Sequence, residues 1–180
     1  GVPAPRWRGE TAESQWGSAA GRFVRPASAE NDPLDWLVYH HRGTFLESLG
    51  NIVAWPMPAH PVYLWTLPLF HCNGWCYPWS VTAMAGTHVC LRAVDPALIF
   101  PMITEHGVTH MCGAPTVLAM LVGAPEEQRR KFTQPVHIMT GGSPPPAKVI
   151  KGMEELGFKV LHIYGMTELQ GPSTLCAVQD

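Results

Sequence analysis

The sequence is short of charge. Only 14% of its 180 residues are Asp, Glu, Lys or Arg, against about 25% in an ordinary soluble domain. The 12 basic and 14 acidic residues nearly cancel, leaving −2. There is no basic field to hold a polyanion, so nucleic acid is not an expected partner. Long hydrophobic runs are also lacking. The longest, near Val62–Phe70, is interrupted by Thr66 and Pro68. A membrane span needs about 20 predominantly apolar residues, so none is expected. The start, at Gly1, lacks the basic-then-apolar pattern of a signal peptide. The 5 cysteines, at 72, 76, 90, 112 and 176, form no CxxC pair. They read as reduced, mostly buried thiols of a cytoplasmic protein, with a peroxisome or other organelle as the eukaryotic alternative. No G-x-x-x-x-G-K-[ST] phosphate loop occurs.

Apolar residues, by contrast, are abundant. They make up 46% of the chain, with 7 Trp and 18 Pro, enough for a sizeable core. So much apolar surface with so little charge implies faces that something else covers. Residues 1–36, rich in Gly, Ala, Pro, Arg and Ser, show neither helical nor strand periodicity and are expected to be irregular or disordered.

From residue 37 the pattern is regular. A helix is expected over His40–Trp55, with Phe45, Leu46, Leu49, Ile52 and Val53 on one apolar face. Val62–Leu69 reads as a buried strand, Trp75–Ala85 as a helix, and Thr87–Leu91 as a strand. Asp95-Pro96 is an N-cap and first-turn proline opening a helix that Gly107 stops. Strand Val108–Cys112, helix Pro115–Val122, one or two helical turns at Glu126–Phe132, strand Val136–Thr140, helix Pro146–Leu156 and strand Lys159–Tyr164 follow. This alternation predicts an α/β fold, a mostly parallel sheet flanked by helices. Ligands of such sheets bind beyond the carboxyl ends of the strands.

Three post-strand loops carry unusual chemistry. Leu69-Phe70-His71-Cys72-Asn73-Gly74-Trp75 offers an imidazole and an aromatic wall. Read with Cys72 and Cys76, His71 would suggest zinc, but no second ligand pair stands nearby. Core packing around a Trp accounts for the same residues. In Thr140-Gly141-Gly142-Ser143-Pro144-Pro145-Pro146 the glycines admit a flat ligand to the backbone; an ordinary strand-to-helix turn needs glycine equally. Tyr164-Gly165-Met166-Thr167-Glu168 offers a stacking ring, a hydroxyl for a phosphate oxygen and a carboxylate for Mg²⁺, or a turn with a helix-capping Thr and a surface Glu.

Taken in order, LPLFHCNGW, MTGGSPPP and YGMTE resemble the acyl-pocket loop, adenine loop and Tyr-Gly-x-Thr-Glu signature of the AMP-forming acyl-CoA synthetases. VYHHRG, GTHVCLR and HGVTHMCGAP strengthen the resemblance, from about residue 38 onward, to the branch acting on short and medium carboxylic acids, which includes methylmercaptopropionate–CoA ligase-like enzymes. The resemblance implies part of the large N-terminal domain of an adenylate-forming enzyme over 37–180. Its partners would be a carboxylic acid, ATP (with AMP as product) and coenzyme A, with Mg²⁺. It implies that Gly141, Gly142 and Ser143 line adenine, that Tyr164 stacks on it with Gly165 also in the nucleotide site, and that Thr167 bonds the α-phosphate or carboxylate. Glu168 would hold Mg²⁺, His71 would stand beside the reacting carboxylate, and Asn73, Gly74 and Trp75 would shape the acyl pocket. The catalytic set is thus His71, Thr167 and Glu168.

There are departures. Asp32-Pro33-Leu34-Asp35-Trp36-Leu37 stands where the family has a Ser/Thr/Gly-rich phosphate loop. The ribose-holding stretch and the small domain with its catalytic lysine have no counterpart before Asp180. Leu169 and Gln170 replace small polar and aromatic residues. The expectation is a truncated chain, with residues 1–36 not matching the family, that is inactive alone. The alternative is a catalytically dead nucleotide-binding remnant or protein-interaction module.

Overall fold

The structure is a computed structural model that describes residues 22–26 and 36–176. Strands β1 (Arg22–Pro26) and β2 (Trp36–His40) pair antiparallel, so part of the stretch expected to be irregular is regular; the rest of residues 1–35 lies outside the described residues. Helix α1 (His41–Ala54) follows at once, capped by His40, whose Nδ1 accepts from the Gly43 amide at 2.8 Å.

The main sheet has six strands: β3 (Val62–Trp65), β4 (Thr87–Cys90), β5 (His110–Gly113), β6 (Val136–Thr140), β7 (Phe158–Met166) and β8 (Gly171–Cys176). Their spatial order is β4-β3-β5-β6-β7-β8. All neighbours are parallel except β7 and β8, which are antiparallel with a bulge between Tyr164 and Gly165. The connections are α2 (Tyr77–Ala83), α3 (Pro96–His106), α4 (Pro115–Val122) and α5 (Ala147–Glu155). The expected α/β sheet is therefore present. The strand order reverses at β3, since β4 leaves it on one side and β5 on the other.

Local chemistry accounts for several element ends. Asp95 Oδ1 accepts from the Ala97 amide at 2.9 Å, Pro96 sits in the first turn of α3, and Gly107 ends it at φ 63°. Strand β3 is shorter than the apolar run predicts. Thr66 turns back, its amide bonding Leu64 O, and its hydroxyl reaches Cys112 O on β5 at 2.5 Å. Glu126–Gln128 forms only a single 3-10 turn.

Side chains alternate across the sheet. On one face Leu64, Met111 and Ile138 join Ile99, Phe100 and Ile103 of α3, Leu118 and Leu121 of α4, and Met153 of α5. Each such buried side chain contributes about 1.5–3 kcal/mol. On the other face Tyr63, Cys112, Met139 and Ile163 pack with Trp55, Tyr77 and Val81.

Helix α1 departs from its expected orientation. Its buried residues are Thr44, Ser48 and Asn51, while Phe45, Leu46 and Val53 are 62%, 54% and 80% exposed. The inner side makes hydrogen bonds to α2 and to loops. Gln170 Nε2 donates to Thr44 Oγ1 at 2.5 Å, Ser80 Oγ to Ser48 O at 3.0 Å, and Asn51 Nδ2 to Trp75 O at 2.7 Å. Apolar side chains at 44 and 51 could not satisfy Gln170 and the Trp75 carbonyl.

Candidate active site

The three loops with unusual chemistry leave the carboxyl ends of β3, β6 and β7 and meet at one cavity of about 430 Å³, a size suited to a small-molecule ligand. It opens where the strand order reverses, the position at which open α/β sheets bind ligands.

After β3 the chain passes Thr66, Leu67 and Pro68 to His71 and Cys72, all on the cavity wall. Cys72 through Cys76 then form a left-handed turn, with φ of 43°, 49°, 62°, 53° and 63°. Only Gly74 in this run adopts that conformation without a steric cost. The turn aims the side chains differently from the expectation. His71 and Trp75 line the cavity, whereas Asn73 and Gly74 do not. A Cβ on Gly74 would lie 2.8 Å from Trp65 Cζ3, so Gly74 packs on an indole outside the pocket. His71 is exposed and its ring meets that of Phe70 at a tilt of 38°, with centroids 4.7 Å apart.

After β6, Gly141 is buried and Gly142 is exposed at φ 90°, and both line the cavity. Nothing would meet a Cβ on Gly142, so it leaves open backbone at the wall. Ser143 is exposed and is not part of the wall.

Strand β7 runs on to Met166, past the expected end at Tyr164, and its last residues Gly165 and Met166, with Thr167 just beyond, contribute to the wall. A Cβ on Gly165 would overlap the Gly171 carbonyl oxygen, so this close β7–β8 approach requires glycine. Tyr164 is 59% exposed, its hydroxyl 3.6 Å from Met166 Sδ, and it lies outside the wall. Glu168 is exposed on the 3-10 turn Thr167–Leu169, also off the wall. Tyr39 OH donates to Thr167 O and ties this turn to β2.

Sequence reasoning overlooked the contribution of β5. Ala114, Thr116 and Val117 complete the apolar side with Val94 and Ile163. The rule that ligands sit beyond strand ends applies equally to β5, and would have found Ala114 and Thr116.

Burial shifts several titratable groups of the domain toward their uncharged forms. Burial pushes the Glu47 carboxyl up to about 7 and the Cys76 thiol up to about 12. Burial, with the neighbouring His137, pushes His110 down to about 4, and the two imidazoles stack at 5.1 Å. The 5 cysteines are free, with Cys90 and Cys176 exposed. Among the described residues no group of three His, Cys, Asp or Glu could hold a metal ion. No described helix is long and apolar enough to cross a membrane.

A glycine-lined cavity at the switch point of a parallel sheet defines a small-molecule-binding α/β domain. The chain belongs to the AMP-binding enzyme family, whose model matches residues 37–180. It is similar to the probable acyl-activating enzyme 5, peroxisomal, of Arabidopsis thaliana, 46% identical over 165 residues, which are 92% of this chain and 29% of that protein. It is 52% identical over 141 residues to a 2-methylpropanoate–CoA ligase of Humulus lupulus (78% of this chain, 25% of that one). It is 42% identical over 174 residues to the peroxisomal acetate/butyrate–CoA ligase of Arabidopsis thaliana (96% and 30%). The chain thus spans under a third of the length of these relatives. Among solved structures, the inhibitor-bound N-terminal domain of FACL13 from Mycobacterium tuberculosis matches with TM-score 0.79 and 21% identity, over 85% of this chain and 38% of that one. O-succinylbenzoate coenzyme A synthetase from Bacillus subtilis, in complex with ATP and magnesium ion, matches with TM-score 0.72 and 22% identity (86% and 32%). At these identities the structures support the fold alone.

Proposed function

We propose that this chain carries the adenylate- and acyl-binding portion of an acid–thiol ligase. Such an enzyme joins a small carboxylic acid to coenzyme A at the expense of ATP. The observation that carries the reading is the meeting of the β3, β6 and β7 loops at one cavity. In the first step a carboxylate oxygen attacks the α-phosphorus of ATP, the bond to the β-phosphate oxygen breaks, and pyrophosphate leaves with the electron pair. In the second, the thiol of coenzyme A attacks the acyl carbon, AMP leaves, and the thiol proton passes to solvent.

The residues would divide the work by position. Backbone at Gly141 and Gly142 receives the flat base, with Ser143, Tyr164 and Gly165 at its margin. The Thr167 hydroxyl donates to an α-phosphate or carboxylate oxygen where charge accumulates. His71 stands at the mouth beside the carboxylate. Trp75, with Leu67, Val117 and Ile163, bounds the acyl group, and Asn73 and Gly74 hold the turn that places Trp75. Glu168 and the Thr167 hydroxyl are oxygen donors of the kind Mg²⁺ takes; the ion would offset phosphate charge. The acids in the relatives' names and the apolar wall favour a short or medium acid. The peroxisomal relatives make that compartment the one to examine beside the cytoplasm.

A second reading, a partner-binding module without catalysis, is favoured by the exposed Phe45, Leu46 and Val53 on α1. Calorimetry separates the two. Mg·ATP should bind the chain, and Glu168→Ala should weaken it about tenfold or more, the worth of a charge-assisted contact. Absence of nucleotide binding by a folded chain would favour the module.

A further inference from the structure

Glu47 has no place in the chemistry above, yet it lies against the signature turn. It is half-buried on α1, one turn beyond Gly43 and between Thr44 and Ser48. Its Oε1 is buried and has no hydrogen-bond partner. A Cβ on Gly171 would lie 2.9 Å from that oxygen, so the carboxyl packs directly on the end of the turn. The same turn is held on either side by neighbours of Glu47. Tyr39 OH bonds Thr167 O, Gln170 Nε2 bonds Thr44 Oγ1, and Cys76 Sγ lies 3.9 Å from Gln170 O. Gln170 is buried and left-handed at φ 67°, a conformation that surrounding contacts must maintain.

We propose that Glu47 is a positioning residue: in its uncharged form it floors the turn at Gly171 and, with Tyr39 and Thr44, sets where Thr167 and Glu168 stand. An unpaired carboxylate oxygen in this place would be expelled toward water, and the turn would loosen with it. Burial alone raises this carboxyl; the titratable groups that feel it from packed elements are the Cys76 thiol, raised by burial and then by Glu47, and the Tyr77 phenol, raised by burial, then by Cys112 and Glu47. Gly171 of β8 presents only backbone. His40 and His41 start the same helix, so comparison with a Glu47 variant, not pH alone, decides the matter. The positional claim stands on geometry; only its consequence for nucleotide rests on the function proposed above.

The test is hydrogen exchange of the segment Gly165–Gly171 in the unliganded chain and in Glu47→Gln, at pH 6 and pH 8, corrected for intrinsic rates. A carboxyl at about 7 in place and near its ordinary value when the turn opens predicts about tenfold lower protection at pH 8 than at pH 6. Glu47→Gln, uncharged at both pH values, should show no such change. AMP binding should follow the same pattern. Wild-type protection that ignores pH, or a Glu47→Gln chain that loses protection as the wild type does, would overturn the proposal. The expected exchange pattern without AMP binding would keep the positioning role and reject the nucleotide reading.

Discussion

The two faces of the sheet are built on different principles. Against α3, α4 and α5 the interior is aliphatic, and the helices turn their apolar residues inward. Against α1 and α2 the interior is aromatic and carries the sulfur atoms of Met57, Cys112 and Met139, and α1 turns Thr44, Ser48 and Asn51 inward with Phe45, Leu46 and Val53 outward. Both arrangements are stable because they answer different demands. The first face has only to exclude water. The second must also satisfy the carbonyl of Trp75 and the side chain of Gln170, which belong to loops at the candidate site. Helix polarity there follows the hydrogen-bonding needs of the loops.

The comparison can be broken in stages. Ile103→Ala on the aliphatic face should have the largest effect, about 3 kcal/mol lost, because its cavity cannot collapse among fully buried neighbours. Urea denaturation would read this as a lower midpoint at unchanged slope. Asn51→Ala on the inner side of α1 should cost about 1–3 kcal/mol by leaving the Trp75 carbonyl without its donor. It should also disturb Trp75 fluorescence, which Ile103→Ala should not. A cost under a few tenths there would mean that the polar side of α1 is incidental. The smallest effect should come from Phe45→Ser, within about 0.5 kcal/mol of the wild type despite removing a large apolar group. A loss comparable to that of Ile103→Ala would show that Phe45 is buried in solution, in an assembly of this chain with itself.

Much of the fold was legible along the chain. The Asp95-Pro96 start and Gly107 stop of α3, the Pro115–Val122 helix and the Val136–Thr140 strand are local patterns, written in residues a few positions apart. The alternation of strands and helices implied a parallel sheet, and the post-strand rule led to Gly141, Gly142, His71 and Thr167, which do meet. Strand β8 was not legible, since Gly171-Pro172 reads as punctuation and the strand exists only by pairing with β7.

The sequence by itself determined the class of fold and the loops that carry the chemistry, because capping, turn formation and hydrophobic periodicity act over short separations. Only the tertiary structure decided which residues of those loops face the cavity. The left-handed run from Cys72 to Cys76 rotates Gly74 onto Trp65 and leaves His71 and Trp75 on the wall. It also decided the burial of Thr44, Ser48 and Asn51, since hydrogen-bond satisfaction is settled between segments distant in the chain, where periodicity carries no information.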